Sequence, residues 1–124
     1  MRSLDPSRIH SWHAHVYFED STQAAARALR GALEADLGPR IRLGRFNEGP
    51  VGPHPVGSYE IAFLPEHLPA VLGWLLLNRG TLDVLLHPNS DNELRDHREG
   101  ALWLGRPHAL DLAGLQAGPS VFDL

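Results

Sequence analysis

The run Trp12-His-Ala-His-Val-Tyr-Phe18 alternates apolar and polar side chains without a break, which makes it a strand with one face to bury and one polar face. Trp12, Ala14, Val16 and Phe18 point one way, and His13, His15 and Tyr17 point the other. Two more runs repeat the pattern. In residues 58–64, Tyr59, Ile61 and Phe63 oppose Ser58, Glu60 and Ala62; in residues 82–87, Leu82, Val84 and Leu86 oppose Asp83, Leu85 and His87. Residues 40–46 alternate more weakly through Ile41 and Leu43.

Two helical patterns separate these strands. The first opens at Asp20, with Gln23 as its capping partner, and runs to Gly38 on a stripe of Leu29, Leu33 and Leu37. The second starts at Pro65 and carries Leu68, Val71, Leu72, Leu75 and Leu76 up to Gly80. The order β-α-β-β-α-β predicts an α+β, ferredoxin-like domain. Its four-stranded antiparallel sheet has the order 4-1-3-2, with two helices on one face and a second face left open. The expected extent is a single domain over residues 1–124, with a core of about 10–105 and a loosely packed tail over 106–124. Residues 95–98 read as a polar loop.

The rest of the chain narrows the chemistry. It contains no cysteine, so disulfide scaffolds, thiolate nucleophiles and iron–sulfur clusters are excluded. All eleven basic residues are arginine and the net charge is -4, which gives no footprint for nucleic acid. No apolar run approaches the roughly 20 residues of a membrane span, and the N-terminus lacks an apolar leader, so a cytoplasmic location is expected. Eight histidines remain. With no thiolate available, any metal would be held by imidazole and carboxylate, a donor set that suits iron, zinc, copper or nickel.

The fold brings several histidines together. Taking the first and third strands as running in the same direction, His13, His15, His54 and His87 converge at one end of the open face, with Glu60 beside them. A His-x-His pair alone is more often solvated than metal-bound, but four imidazoles and a carboxylate from three segments point to a metal site with open coordination positions. Arg95, Arg98 and Tyr17 are available to orient an anionic or phenolic substrate. His97 reads first as a solvated loop or tail residue and second as one lining the pocket. His10, His67 and His108 read as surface residues.

Six ordered blocks between residues 10 and 105 resemble the DOPA 4,5-dioxygenase family. They are His13-Ala-His-Val-Tyr-Phe18, Pro50-Val-Gly-Pro-His-Pro55, Ser58-Tyr-Glu-Ile61, Asn78-Arg-Gly80, Leu82-Asp-Val-Leu-Leu-His-Pro-Asn89, and Arg95-Asp-His-Arg98 through Ala101-Leu-Trp-Leu-Gly105. The resemblance implies an extradiol dioxygenase that opens a catechol ring, of L-DOPA or a related ortho-diphenol, with Fe(II) and O2; zinc or nickel could occupy purified protein. It places the functional positions on His13, His15, His54 and His87, three as metal ligands. The resemblance does not say which; adjacent antiparallel strands bring His15 and His87 together as ligands, so His13 or His54 supplies the remaining ligand and the other is the acid–base group. Glu60 is then a ligand or a carboxylate that fixes a histidine tautomer, and Tyr17, Arg95 and His97 are substrate contacts. Pro88-Asn-Ser-Asp91 departs from the family's Pro-Asn-Thr-Gly form, which bears on substrate identity. Competing readings are a zinc-binding domain and a non-catalytic small-ligand or dimerisation module. A homodimer through the open sheet face is expected, since that face needs a cover.

Overall fold

The computed structural model describes residues 1–119, and its first long element is the strand β1 (Ser11–Phe18). The chain continues through α1 (Gln23–Leu37), β2 (Arg42–Leu43), β3 (Gly57–Phe63), α2 (Leu68–Asn78), β4 (Asp83–Asn89), α3 (Glu93–His97) and β5 (Leu102–Leu104). The five strands form one antiparallel sheet in the order β2-β3-β1-β4-β5. The expected four-strand order is present, and β5 extends it beyond β4. The sheet therefore has five strands and not four, because the apolar residues after the 95–98 segment pair with β4, Leu85 opposite Trp103. That segment itself is helical, with the Asn92 side chain accepting from Arg95 N at its start.

One sheet face is the core. Ala14, Val16 and Phe18 of β1, Tyr59, Ile61 and Phe63 of β3, and Val84 and Leu86 of β4 pack against Ala26, Leu29, Leu33 and Leu37 of α1 and Val71 and Leu75 of α2. These are the sets that the alternation and the four-residue spacing predict, except on α2, where Leu68 and Leu72 are only partly buried and Leu76, expected on the apolar face, is exposed. Burial of this apolar surface is the main term holding the two helices to the sheet.

Three local expectations change. The first helix is entered through a 3-10 turn over Asp20–Thr22, where Glu19 N donates to Thr22 Oγ1 at 3.0 Å; Asp20 and Gln23 are not the capping pair. β2 is two residues long because the chain leaves the ladder after Gly44, whose N–H still donates to Glu60 O, and rejoins it at Asn47 opposite Ser58. The excursion turns Phe46 inward, where its ring stacks 4.4 Å from Phe18. Finally, β1 and β3 run antiparallel, not in the same direction: Tyr17 lies opposite Ser58 and His13 opposite Ala62.

The second sheet face is covered by the chain itself. After β5, Arg106 N and His108 Nε2 both bond to the Asp83 carboxylate. Asp111 N then donates to Pro53 O, while Leu94 N and Glu93 N donate to Gln116 O and Gly118 O. Residues 106–118 are thus fastened along that face, and only 120–124 of the expected tail lie outside the described residues. Beneath the cover His13, His15, Tyr17, Leu85 and His87 are all buried. An uncovered sheet face therefore no longer argues for a dimer. Among the described residues no helix is long and apolar enough to cross a membrane.

Candidate metal centre

The floor of the site comes from cross-strand registry. On the covered face, His13 of β1 lies opposite His87 of β4 on one rung, and His15 lies two residues further along β1, opposite Glu60 on its other side. Side chains two apart on a strand share a face, so His13, His15 and His87 are forced into one cluster by pairing alone. Each offers a ring nitrogen, and the three nitrogens all lie within 4.8 Å of one another.

His54 reaches the cluster by another route. Because β3 begins opposite the end of β1, the chain before it has to fold back to meet the histidines. A tight turn does this: His54 N donates to Val51 O, with Gly52 at φ 53° in the left-handed region and Pro53 fixing the next torsion. The His54 ring then lies 4.2 Å from that of His15, centroid to centroid. Helix α3 supplies a fifth imidazole, His97, whose ring is 3.9 Å from that of His87. The cluster sits over the middle of the sheet, not at its end.

Hydrogen bonds fix which nitrogen of most rings faces inward. His87 Nδ1 donates to Pro88 O at 2.9 Å, so its Nε2 carries the lone pair. His13 Nδ1 stands 3.1 Å from Glu60 Oε1, which directs its other nitrogen to the cluster in the same way. His97 Nδ1 lies 2.9 Å from Glu93 O and must be the donor there. Tyr17 Oη is 2.6 Å from His54 Nδ1; burial pushes the phenol pKa upward, so the hydroxyl stays protonated and donates, and the His54 proton sits on Nε2.

Burial also keeps the imidazoles neutral. His15 is held well below its usual pKa by burial first and by His54, His87 and His13 next; His87 is lowered by burial and then by His97. His54 falls to about 4 for the same causes, burial and then the neighbouring His97 and His13. Burial raises the Glu60 carboxyl, and Arg42 partly opposes it. Neutral imidazoles have free lone pairs at neutral pH, which is what metal ligation requires.

The donor set fits a metal ion. His15 Nε2 and His87 Nε2 are 3.0 Å apart, which is the separation of two nitrogens that share an ion at roughly 2.0–2.1 Å each in a right-angled arrangement. His15 Nδ1 is buried with no hydrogen-bond partner. A buried ring nitrogen that nothing in the protein satisfies is costly unless something else binds the imidazole.

Above the histidines is a cavity of about 370 Å³, within the range of small-molecule sites. His13, His15, His54, Glu60 and His97 line it, together with residues of the covering segment. The other sequence candidates lie elsewhere. Arg95 does not reach the cavity, since its guanidinium binds Ser90 Oγ and Asp91 Oδ1. Tyr17 touches the site only through His54; its ring lines a separate hollow of about 640 Å³ with Arg79, Asp83, Arg106 and His108. His108, read as a surface residue, is half-buried, bonded to Asp83 and stacked near Trp103. Glu93 and Asp111 line the histidine cavity without having been singled out, because nothing local in the sequence marks them.

Comparison with known proteins agrees with this geometry. The Dopa 4,5-dioxygenase family model matches residues 12–114. The chain is 40% identical over 122 residues to the DOPA 4,5-dioxygenase of Amanita muscaria, covering 93% of this chain and 54% of that protein. It is 37% identical over 121 residues to an uncharacterised 21.2 kDa protein of Botryotinia fuckeliana, covering 89% and 66% respectively. It therefore spans about half to two thirds of the length of these relatives. A crystal structure of a candidate dioxygenase from Nostoc punctiforme matches with a TM-score of 0.82 at 41% identity, covering 89% of this chain and 94% of that one. On this match along most of its length, the chain belongs to the Dopa 4,5-dioxygenase family.

Proposed function

We propose that the protein is a non-haem Fe(II) extradiol dioxygenase that cleaves a catechol ring, with His13, His15 and His87 as the metal ligands. The observation that carries this reading is the group of three buried imidazoles whose ligand atoms lie within 4.8 Å of one another beside a cavity large enough to admit a catechol. The order of the first four strands and two helices supports placing it on a ferredoxin-like unit, here with one added strand. When bound, ferrous iron supplies a template for catechol and dioxygen and the redox chemistry between them.

The protein's own groups handle orientation and protons. His97 keeps its lone pair on Nε2, because Nδ1 is committed to Glu93 O, and so accepts a hydrogen bond from a catechol hydroxyl. His54 has the opposite tautomer. With Tyr17 donating to Nδ1, it presents an Nε2–H that can be given to an oxygen atom and later regained. Glu60 holds His13 in the ligating orientation and is not itself a ligand. Asp111, Gly114 and Leu115 of the covering segment form part of the cavity wall facing the rings.

Three imidazoles without a carboxylate among them also suit zinc, which makes a zinc-binding domain the second reading. One experiment separates the two. Protein loaded anaerobically with Fe(II) is given a panel of catechols and air, with oxygen uptake and a visible absorbance scan as readouts. Stoichiometric oxygen uptake with a new visible band supports the dioxygenase. Tight zinc, and no oxygen uptake with iron, overturns it.

A further inference from the structure

We propose that metal binding switches His15 from its Nε2–H to its Nδ1–H tautomer, and that Glu60 then holds two ligands at once, His13 through one carboxylate oxygen and His15 through the other. This rests on the assignment of His13, His15 and His87 as ligands, and it extends the positioning role of Glu60 from one ligand to two.

His15 stands apart among the five clustered imidazoles. The Nδ1 of every other ring has a partner in the protein: Glu60 for His13, Tyr17 for His54, Pro88 O for His87 and Glu93 O for His97. His15 Nδ1 has none, in a residue only 4% exposed. Its other nitrogen makes the 3.0 Å contact with His87 Nε2. That contact has two chemical forms, because a neutral imidazole carries one N–H. Without an ion, one ring must donate to the other. His87 commits its proton to Pro88 O, so the donor is His15 Nε2–H and the lone pair of His15 is on Nδ1. With an ion, both Nε2 atoms turn lone pairs toward it, and the His15 proton has to sit on Nδ1. Metal binding therefore creates a buried donor in place of an acceptor, and a buried donor needs a partner.

Strand registry supplies that partner. Glu60 lies directly opposite His15 on the β1–β3 ladder, which puts their Cβ atoms at roughly 4.5–5.5 Å on one sheet face. Its Oε1 stands at His13 Nδ1, and its Oε2 makes no hydrogen bond among the described residues. The Glu60 side chain is 34% exposed, which leaves it room to turn Oε2 toward His15. A hollow of about 190 Å³ joins the two residues, with Arg45 and Ser58 also on its wall. Arg45 can only donate, and Ser58 lies opposite Tyr17, a diagonal step further from His15. A carboxylate and a bare ring lone pair repel, so the second contact forms only after the proton has moved to Nδ1. One carboxylate accepting from both rings then fixes the planes of two ligands and raises the basicity of each.

The test uses protein labelled with 15N in its histidines, zinc as a diamagnetic occupant of the site, and long-range 1H–15N correlation spectra, which report the tautomer of each ring. Zinc should move His15 from Nε2–H to Nδ1–H, and the Nδ1 protons of both His13 and His15 should exchange slowly with water. At saturating zinc, Glu60→Gln, whose amide offers a single acceptor oxygen, should keep one of the two slow protons, Glu60→Ala neither, and Ser58→Ala both. The His87 Nδ1 proton, held by Pro88 O, is the internal control and should stay slow throughout. A slowly exchanging His15 Nδ1 proton in Glu60→Ala overturns the shared carboxylate while leaving the ligand assignment intact. A His15 ring that keeps its Nε2 proton at saturating zinc, or protein that takes up no zinc, overturns the ligand assignment and this inference with it.

Discussion

The hydroxyl of Tyr17 stands 2.6 Å from Nδ1 of His54, joining a residue in the middle of β1 to one in the turn before β3. The bond sets the tautomer of His54 and returns the turn to the histidine cluster. Tyr17→Phe should keep metal content and lower the rate about 10–100-fold, the usual effect of losing a hydrogen bond that orients an active-site imidazole. It should also cost about 1–3 kcal/mol of stability, because the buried Nδ1 is left unpaired. Metal analysis, oxygen uptake and urea unfolding measure the three effects; wild-type turnover would refute the orienting role.

The four strand and turn histidines should divide by behaviour. Replacing His13, His15 or His87 by Ala removes one of three protein bonds to the ion, so metal and activity are lost together. His54→Ala should retain the metal and lose about 10²–10⁴-fold in rate, as removal of a proton donor does. Bound iron per chain, measured beside catechol cleavage, checks the division. Loss of metal in His54→Ala would make it a ligand.

Glu60→Ala should weaken metal affinity by about 10–100-fold without removing a ligand, since His13 would lose the carboxylate at Nδ1. Competition with a chelator measures it. Unchanged affinity would show that the contact is incidental.

Stability of the metal-free protein should depend steeply on acid. His15, His54 and His87 lie below the ordinary value of 6.5 when folded and return to it on unfolding, so the unfolded chain takes up protons first as pH falls. Their contribution is complete above about pH 6.5 and is lost as pH falls; for His54, whose folded value is about 4, it is of order 3 kcal/mol. Glu60, pushed upward by burial, acts in the opposite sense but is one group against three. Thermal melts from pH 7 to pH 4 should show the fall, and His54→Gln should flatten it.

Gly105 ends β5 at φ 87°, and a Cβ there would collide with the Asp83 carboxylate and stand 2.9 Å from Arg79 Nη1. Gly105→Ala should therefore cost about 2–4 kcal/mol, combining a left-handed backbone with a displaced Asp83. Because Asp83 also holds Arg106 N and His108, the segment after it should be cut faster by protease. Limited proteolysis with mass spectrometry reads this directly.

What could be read from the sequence was what has a period. Alternation in β1, β3 and β4 placed Val16, Ile61 and Val84 in the core and His13, His15 and His87 on the other face, and antiparallel pairing put His15 beside His87. What could not be read was set by long-range contacts. Nothing near Leu102 announces a strand until β4 is there to pair with it. The loop-back of His54 depends on β3 running against β1, and His108 acquires a role only through Asp83, 25 residues earlier. Arg95 shows the converse: its sequence context suggested a substrate contact, and the nearby Asp91 and Ser90 claim it instead.

The segment from Asp111 to Gly118 is joined to the turn at Pro53 by one backbone hydrogen bond and to the start of α3 by two, while His13, His15 and His87 beneath stand on paired strands. Rim and floor therefore answer to different constraints. A substitution at Asp111, Gly114 or Leu115 reshapes the mouth without shifting a strand register, whereas a one-residue slip in β1 would send every imidazole it carries to the opposite face. Substrate range in a protein built this way can drift quickly on a metal cradle that hardly changes, and selection experiments confined to residues 111–115 should find new ring substituents accepted without loss of bound metal.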